Sequence, residues 1–83
     1  MDAAAVADRI EKFLREQFLV ADDDPRFSRT VDLYEHGYVD SVGLVELLAF
    51  IDEEFAVEVP EDALLSPEFS TIDGIAGVVA ALT

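Results

Sequence analysis

The sequence predicts a small all-α protein, a four-helix bundle of three long helices and one short helix with a long first loop. Three observations carry this prediction. Apolar residues recur at helical spacing in three separate stretches. Asp, Ser, Thr and Pro stand where those stretches would begin. Strand-like alternation is almost absent: Ala56-Val57-Glu58-Val59 could pass for one short strand, and nothing else resembles one. With 83 residues the chain is expected to form one domain, 1–83, around one core.

The first helix is expected from Ala3 to about Leu19. Val6, Ile10, Phe13, Leu14 and Phe18 form its apolar stripe, and Ala3, Ala4, Ala5 and Ala7 add propensity. Glu11 and Arg15 make an i, i+4 pair in the favourable order, worth a few tenths of a kcal/mol.

Val20 to Val39 is a long connection with Phe27, Val31, Leu33 and Tyr34 as apolar anchors. Connections of this length in small domains tend to be functional or packed by their own side chains. The run Asp22-Asp23-Asp24-Pro25 invites a calcium reading, but an EF-hand loop counted from Asp22 needs Gly and Glu where Phe27 and Leu33 stand. A solvated turn is the better reading. Gly37 is expected to take a positive φ in the turn that follows. His36 is the single histidine, and with no cysteine in the chain it has no partner for a metal site and no argued place in a catalytic set.

The connection delivers Asp40-Ser41-Val42. Asp40 is a good N-cap, which places Ser41 in the first turn of a second helix, beside free backbone N–H groups and the positive end of the helix dipole. An exposed hydroxyl there favours a phosphate ester. In this helix Leu44, Leu47, Leu48, Ile51 and Phe55 fall on the core face, while Val42, Glu46, Ala49 and Glu53 fall opposite, with Val45 and Asp52 along one edge. A mixed apolar and acidic strip beside Ser41 reads either as an ordinary solvated helix face or as a docking surface for basic enzymes. Phe50 lies off the core stripe between Glu46 and Glu54. Two readings stand: the segment Ala63–Leu65 folds over it and completes a core wall, the preferred one, or it is a partly exposed anchor for a partner.

Pro60 with Glu61 and Asp62 signals a short helix that runs through Ala63, Leu64 and Leu65. Ser70-Thr71-Ile72-Asp73 resembles a capping box with Asp in place of Glu. The last helix is expected from Thr71 to about Leu82, with Ile72, Ile75, Ala76, Val79 and Leu82 as its stripe. Gly74 and Gly77 weaken it by roughly 1 kcal/mol each relative to Ala, and they leave room for close helix approach.

Charge bounds the function. Lys plus Arg number 5 and Asp plus Glu 19, a formal net charge of −14, which repels nucleic acid and attracts basic protein surfaces. No basic residue follows Arg29, so the back half of the chain carries an uninterrupted negative field. Without cysteine there is neither a disulfide framework nor a thiol for thioester chemistry, so any thiol must arrive on a prosthetic group. No run approaches ~18 apolar residues and the start Met-Asp-Ala-Ala-Ala lacks a basic region, so the expectation is a cytoplasmic protein without membrane span or signal peptide.

Asp40-Ser41-Val42 followed by Val45-Glu46-Leu47, Ile51, Asp52-Glu53-Glu54-Phe55 and later Thr71-Ile72-Asp73 resembles the acyl and peptidyl carrier proteins across nearly the whole chain. The resemblance implies 4'-phosphopantetheine on Ser41, with Asp40 as part of the motif, and a recognition surface of Val42, Val45, Glu46, Ala49 and Glu53. Fatty-acid carriers have Gly-Ala-Asp-Ser-Leu-Asp; here Gly37 is one residue further from the serine and Gly43 replaces the acid two after it. Leu33 to Gly43 is closer to D-alanyl carriers and to free-standing carriers of polyketide and nonribosomal peptide pathways. The resemblance therefore implies a discrete, monomeric acyl or aminoacyl carrier that is not itself an enzyme. Its partners would be a phosphopantetheinyl transferase that brings its own Mg²⁺, a loading adenylation enzyme or acyltransferase, and a downstream synthase or transferase. A D-alanyl carrier for cell-envelope polymers and an unmodified acidic interaction module are the competing readings.

Overall fold

A computed structural model describes residues 1–83. Helix α1 runs Ala3–Gln17, α2 Ser41–Phe55, α3 Glu61–Leu64 and α4 Ile72–Leu82, with a 3-10 turn at Pro67–Ser70 between the last two. There is no strand, and Ala56–Val59 is irregular chain with Val57 buried.

Each long helix starts on an Asx or hydroxyl cap. The Asp2 carboxylate accepts from Ala5 N–H at 2.8 Å, Asp40 from Gly43 N–H at 2.7 Å, and the Thr71 hydroxyl from Gly74 N–H at 2.9 Å. The cap of α4 is thus Thr71, one residue later than the capping-box pattern suggests, because Ser70 belongs to the 3-10 turn and its hydroxyl donates to Pro67 O. α1 ends two residues before the expected Leu19. Phe18 is its C-cap, Leu19 turns into left-handed backbone at φ 54°, and Val20 N–H closes back onto Arg15 O at 3.1 Å.

Val6, Ile10 and Leu14 of α1, Leu47 and Ile51 of α2, and Ile72, Ile75 and Val79 of α4 form the buried core with Leu33 of the loop and Phe69 of the 3-10 turn. α1 and α4 approach most closely, and each buries a small residue, Ala7 and Ala76. α2 stands further off and joins the bundle through large side chains. Leu82, assigned to the α4 stripe, is instead 44% exposed as the last residue of its helix. Of the two α4 glycines only Gly74 reflects close approach: a Cβ there would run into Glu68 O, whereas at Gly77 it would meet open space.

The long first loop is packed by its own side chains, as its length suggested. Leu33 N–H donates to Ser70 O at 2.8 Å, the Tyr34 hydroxyl to Phe69 O at 3.1 Å, and Asp73 N–H to Arg29 O at 3.0 Å. Arg29 reaches back to α1, where Asp8 and Glu11 both accept from its guanidinium, the latter at 2.8 Å. Arg15 lies 4.7 Å over the Phe27 ring, which meets Tyr38 edge-on at 5.0 Å. These contacts hold fixed the end of the loop that leads into α2.

Candidate functional site

The turn before α2 is built locally. The Asp32 carboxylate accepts from Tyr34 and Glu35 N–H at 3.0 and 2.9 Å, and Gly37 takes φ 76°, as expected. Val39 is then buried and Asp40 begins the helix with its side chain folded over the first turn. His36 is exposed in this turn and its ring has no hydrogen-bond partner. In the acidic run, Asp24 accepts from Arg26 N–H at 2.9 Å and from the Tyr38 hydroxyl at 2.9 Å, so it closes an Asx turn. Those two bonds, the backbone one first, hold its carboxyl below the ordinary value. No group of three or more His, Asp or Glu is placed to hold a metal.

Ser41 is the first residue of α2 and is exposed, and its hydroxyl makes no hydrogen bond within the protein. The N–H groups of Ser41 and Val42 also lack partners, because Asp40 satisfies only Gly43 N–H with its carboxylate and Leu44 N–H, at 2.8 Å, with its carbonyl. A nucleophilic oxygen thus stands free at a helix start whose capping does not depend on it. A phosphodiester on that oxygen would sit beside two unpaired donors and the positive helix end, which offsets the repulsion of a chain of net charge −14. The residues present therefore fit a phosphate-linked group.

All five residues expected to form a docking strip are exposed along α2: Val42 at 66%, Val45 at 67%, and Glu46, Ala49 and Glu53 beside them. One of them, Glu46, touches α1, and so does its neighbour Phe50. Gln17 Nε2 donates to Glu46 at 3.2 Å, and Phe50, between Glu46 and Glu54 on the wheel, stacks on Phe13. The preferred reading of Phe50 is thereby corrected in its partner: the half-buried ring is covered by α1, not by the segment Ala63–Leu65.

Sequence reasoning passed over one feature of the site. Gly43 is buried because the Phe18 ring fills the space of its missing side chain; a Cβ there would lie 2.9 Å from Phe18 Cε1. Gln17, Phe18, Tyr38, Asp40, Val42 and Glu46 line an open cleft of ≈ 450 Å³ around this contact. The signal was a glycine in the first turn of a strongly periodic helix, which marks a close approach.

The protein-family model described as "Phosphopantetheine attachment site" matches residues 4–79, which takes in α1, α2, α3 and most of α4. No solved structure matches the chain significantly. Domains of this family are generally carriers without catalytic activity, and they interact with the transferase that installs the group and with biosynthetic enzymes. The match spans almost the whole bundle and the free serine at the start of α2, so the chain belongs to the phosphopantetheine-attachment family of carrier proteins, whose cofactor is covalently attached 4'-phosphopantetheine.

Proposed function

We propose that Ser41 is the attachment residue and that the chain is a discrete acyl or aminoacyl carrier. The observation that carries this reading is the state of Ser41: exposed, free of internal hydrogen bonds and first in a helix capped by its neighbour Asp40. In the modification, Ser41 Oγ attacks the phosphorus of coenzyme A that bears pantetheine. A P–Oγ bond forms, the pyrophosphate P–O bond breaks, adenosine 3',5'-bisphosphate leaves, and the serine proton passes to a base on the transferase, which also supplies Mg²⁺. The installed group supplies a thiol that the polypeptide, with no cysteine, lacks. The chain's own residues do the rest: Asp40 keeps the helix start formed, and Val42, Val45, Glu46, Ala49 and Glu53 offer partners an exposed apolar and acidic strip. The protein is then an attachment point and an address, with bond chemistry left to its partners.

Gly43 supports a carrier of a polyketide or nonribosomal peptide pathway over a fatty-acid carrier. The position two after the serine has no room for an acid while Phe18 stays in place. The thiol would hold a small acyl or aminoacyl thioester, delivered by an adenylation enzyme or acyltransferase and consumed by a synthase or transferase. No helix is long and apolar enough to cross a membrane; the carrier is read as a monomer that shuttles among cytoplasmic enzymes. Incubation with coenzyme A and a broad-range phosphopantetheinyl transferase, followed by intact-mass measurement, tests the carrier reading against an unmodified acidic interaction module. The carrier gains one phosphopantetheinyl group; a module gains nothing.

A further inference from the structure

Leu19 combines two costs that nothing inside the fold offsets. Its backbone is left-handed, at φ 54°, in the position after a helix C-cap that glycine usually takes, and a leucine there is strained. Its side chain is 87% exposed, more than any other large apolar side chain in the protein. Leu65 is nearly as exposed, but it lies in ordinary right-handed backbone at φ −87°, and its exposure carries no such cost. Ala56, the other non-glycine residue at positive φ, presents only a methyl group. A glycine at position 19 would relieve the strain and remove the exposed surface together. Backbone strain that persists against such an easy relief points to a use for the side chain.

The place of Leu19 suggests the use. It directly follows Phe18, whose ring abuts Gly43 in the first turn of α2, and it lies two residues beyond Gln17, which donates to Glu46 at 3.2 Å. The end of α1 is therefore joined to the end of α2 that bears Ser41. Exposed Glu16, Asp22 and Asp23 flank Leu19 in sequence. The closest cation in sequence, Arg15, is occupied by Glu11 at 3.0 Å and by the Ala21 carbonyl at 3.2 Å. Glu16 and Asp22 share a cleft with Lys12, Arg15 and Arg29, yet none of the three acids is within ion-pair distance of a cation, so the result is an apolar tip flanked by unpaired acids, set apart from the α2 strip.

We infer that Leu19 is a second docking anchor, which inserts into an apolar pocket ringed by basic groups on the enzyme that transfers the prosthetic group to Ser41. This rests on Ser41 being the attachment site. The complementarity has the usual form of an anchor: one protruding aliphatic side chain supplies contact, and the surrounding acids steer a cationic surface toward it. Because the side chain makes its contacts only in the complex, its removal should weaken docking without weakening the fold.

The test compares Leu19→Gly, Leu19→Asn and Leu19→Met. Glycine and asparagine both tolerate left-handed backbone, while methionine keeps an apolar side chain. The expected result is a melting temperature equal to or above wild type for Leu19→Gly and Leu19→Asn, with kcat/KM for modification down about five- to tenfold through KM. Leu19→Met stays close to the wild-type rate, and each variant is still modified completely at Ser41 at long times. The same substitutions made on a Ser41→Ala background, which cannot react, should raise the Kd for the transferase with coenzyme A by the same factor in calorimetry. Unchanged rate and Kd in Leu19→Gly would overturn the anchor while leaving Ser41 as the attachment site. A lowered melting temperature that accounts for the slower rate would overturn it too, since Leu19 would then be packing. Failure of the wild-type chain to be modified at Ser41 overturns the attachment reading, and the anchor with it.

Discussion

The Phe13 and Phe50 rings stack face to face, with centroids 4.2 Å apart and planes 13° from parallel, and this pair fastens the C-terminal half of α2 to the C-terminal half of α1. Phe55 meets Phe50 edge-on at 6.0 Å, and Phe18 meets Phe13 edge-on at 6.2 Å. α2 is anchored in the core by Leu47 and Ile51, and this aromatic row adds a second line of attachment beside them. Phe50→Ala is expected to cost about 2–3 kcal/mol, below the range for a fully buried Phe because the ring is half-buried. A double-mutant cycle with Phe13→Ala should give a coupling of about 0.5–1.5 kcal/mol. Strict additivity in denaturant melts would mean that the stacked geometry contributes nothing beyond area.

The two glycines of α4 should respond in opposite directions. Gly77→Ala adds a methyl group in open space on an exposed helical surface and should stabilise by up to about 1 kcal/mol. Gly74→Ala pushes a methyl group into the Glu68 carbonyl of the 3-10 turn, and should destabilise by about 2 kcal/mol or more. Thermal melts of the two single variants decide it; equal effects would contradict the close contact of α4 with the turn.

That contrast marks how far the sequence could be read. The stripes Val6/Ile10/Leu14, Leu47/Ile51 and Ile72/Ile75/Val79, and the cap Asp40, follow from rules that act within one or two turns, so local pattern located the helices and the free Ser41, while the cap of α4 fell one residue away from the expected one. What periodicity could not supply is which element covers which. Phe50 finds its cover on α1, Gly43 is filled by Phe18, and Gly74 differs from Gly77 only through a turn that no pattern announced. Leu82 satisfied the stripe but is the last residue of the helix, past the end of the core. Leu19 broke a local rule outright, since a glycine belongs at that backbone angle.

Glu11 gives the loop clamp a pH dependence. Its carboxyl is held below the ordinary value chiefly by the Arg29 hydrogen bond, opposed by partial burial and aided by Arg15. The group binds its proton less readily folded than unfolded, so its stabilisation is complete above about pH 4.5, the unfolded value, and is lost as pH falls through the lower folded value. The gap in stability between wild type and Glu11→Gln should be about 1 kcal/mol at pH 7 and should close as pH falls through the lowered folded value. Urea melts at several pH values measure it. A gap that persists unchanged under acid would remove Glu11 from the clamp.

Charge reversal should map the docking strip. Glu46→Lys and Glu53→Lys are expected to slow modification several-fold, with the defect shrinking as salt rises. Asp8 makes a poor control because it accepts from Arg29. Glu61 is better, being exposed, free of ion pairs and carried on α3 rather than on α2. Equal slowing by Glu61→Lys would mean that net charge alone attracts the transferase.

The placement of the prosthetic group is the central claim, and peptide mapping of the modified protein tests it most directly. After incubation with coenzyme A and a broad-range transferase, tandem mass spectrometry should find the phosphopantetheinyl group on Ser41 alone. Ser41→Ala should remain folded, within about 1 kcal/mol of wild type since Asp40 still caps α2, and should gain no mass. An adduct on any other residue, or a folded Ser41→Ala protein that is still modified, would contradict the account.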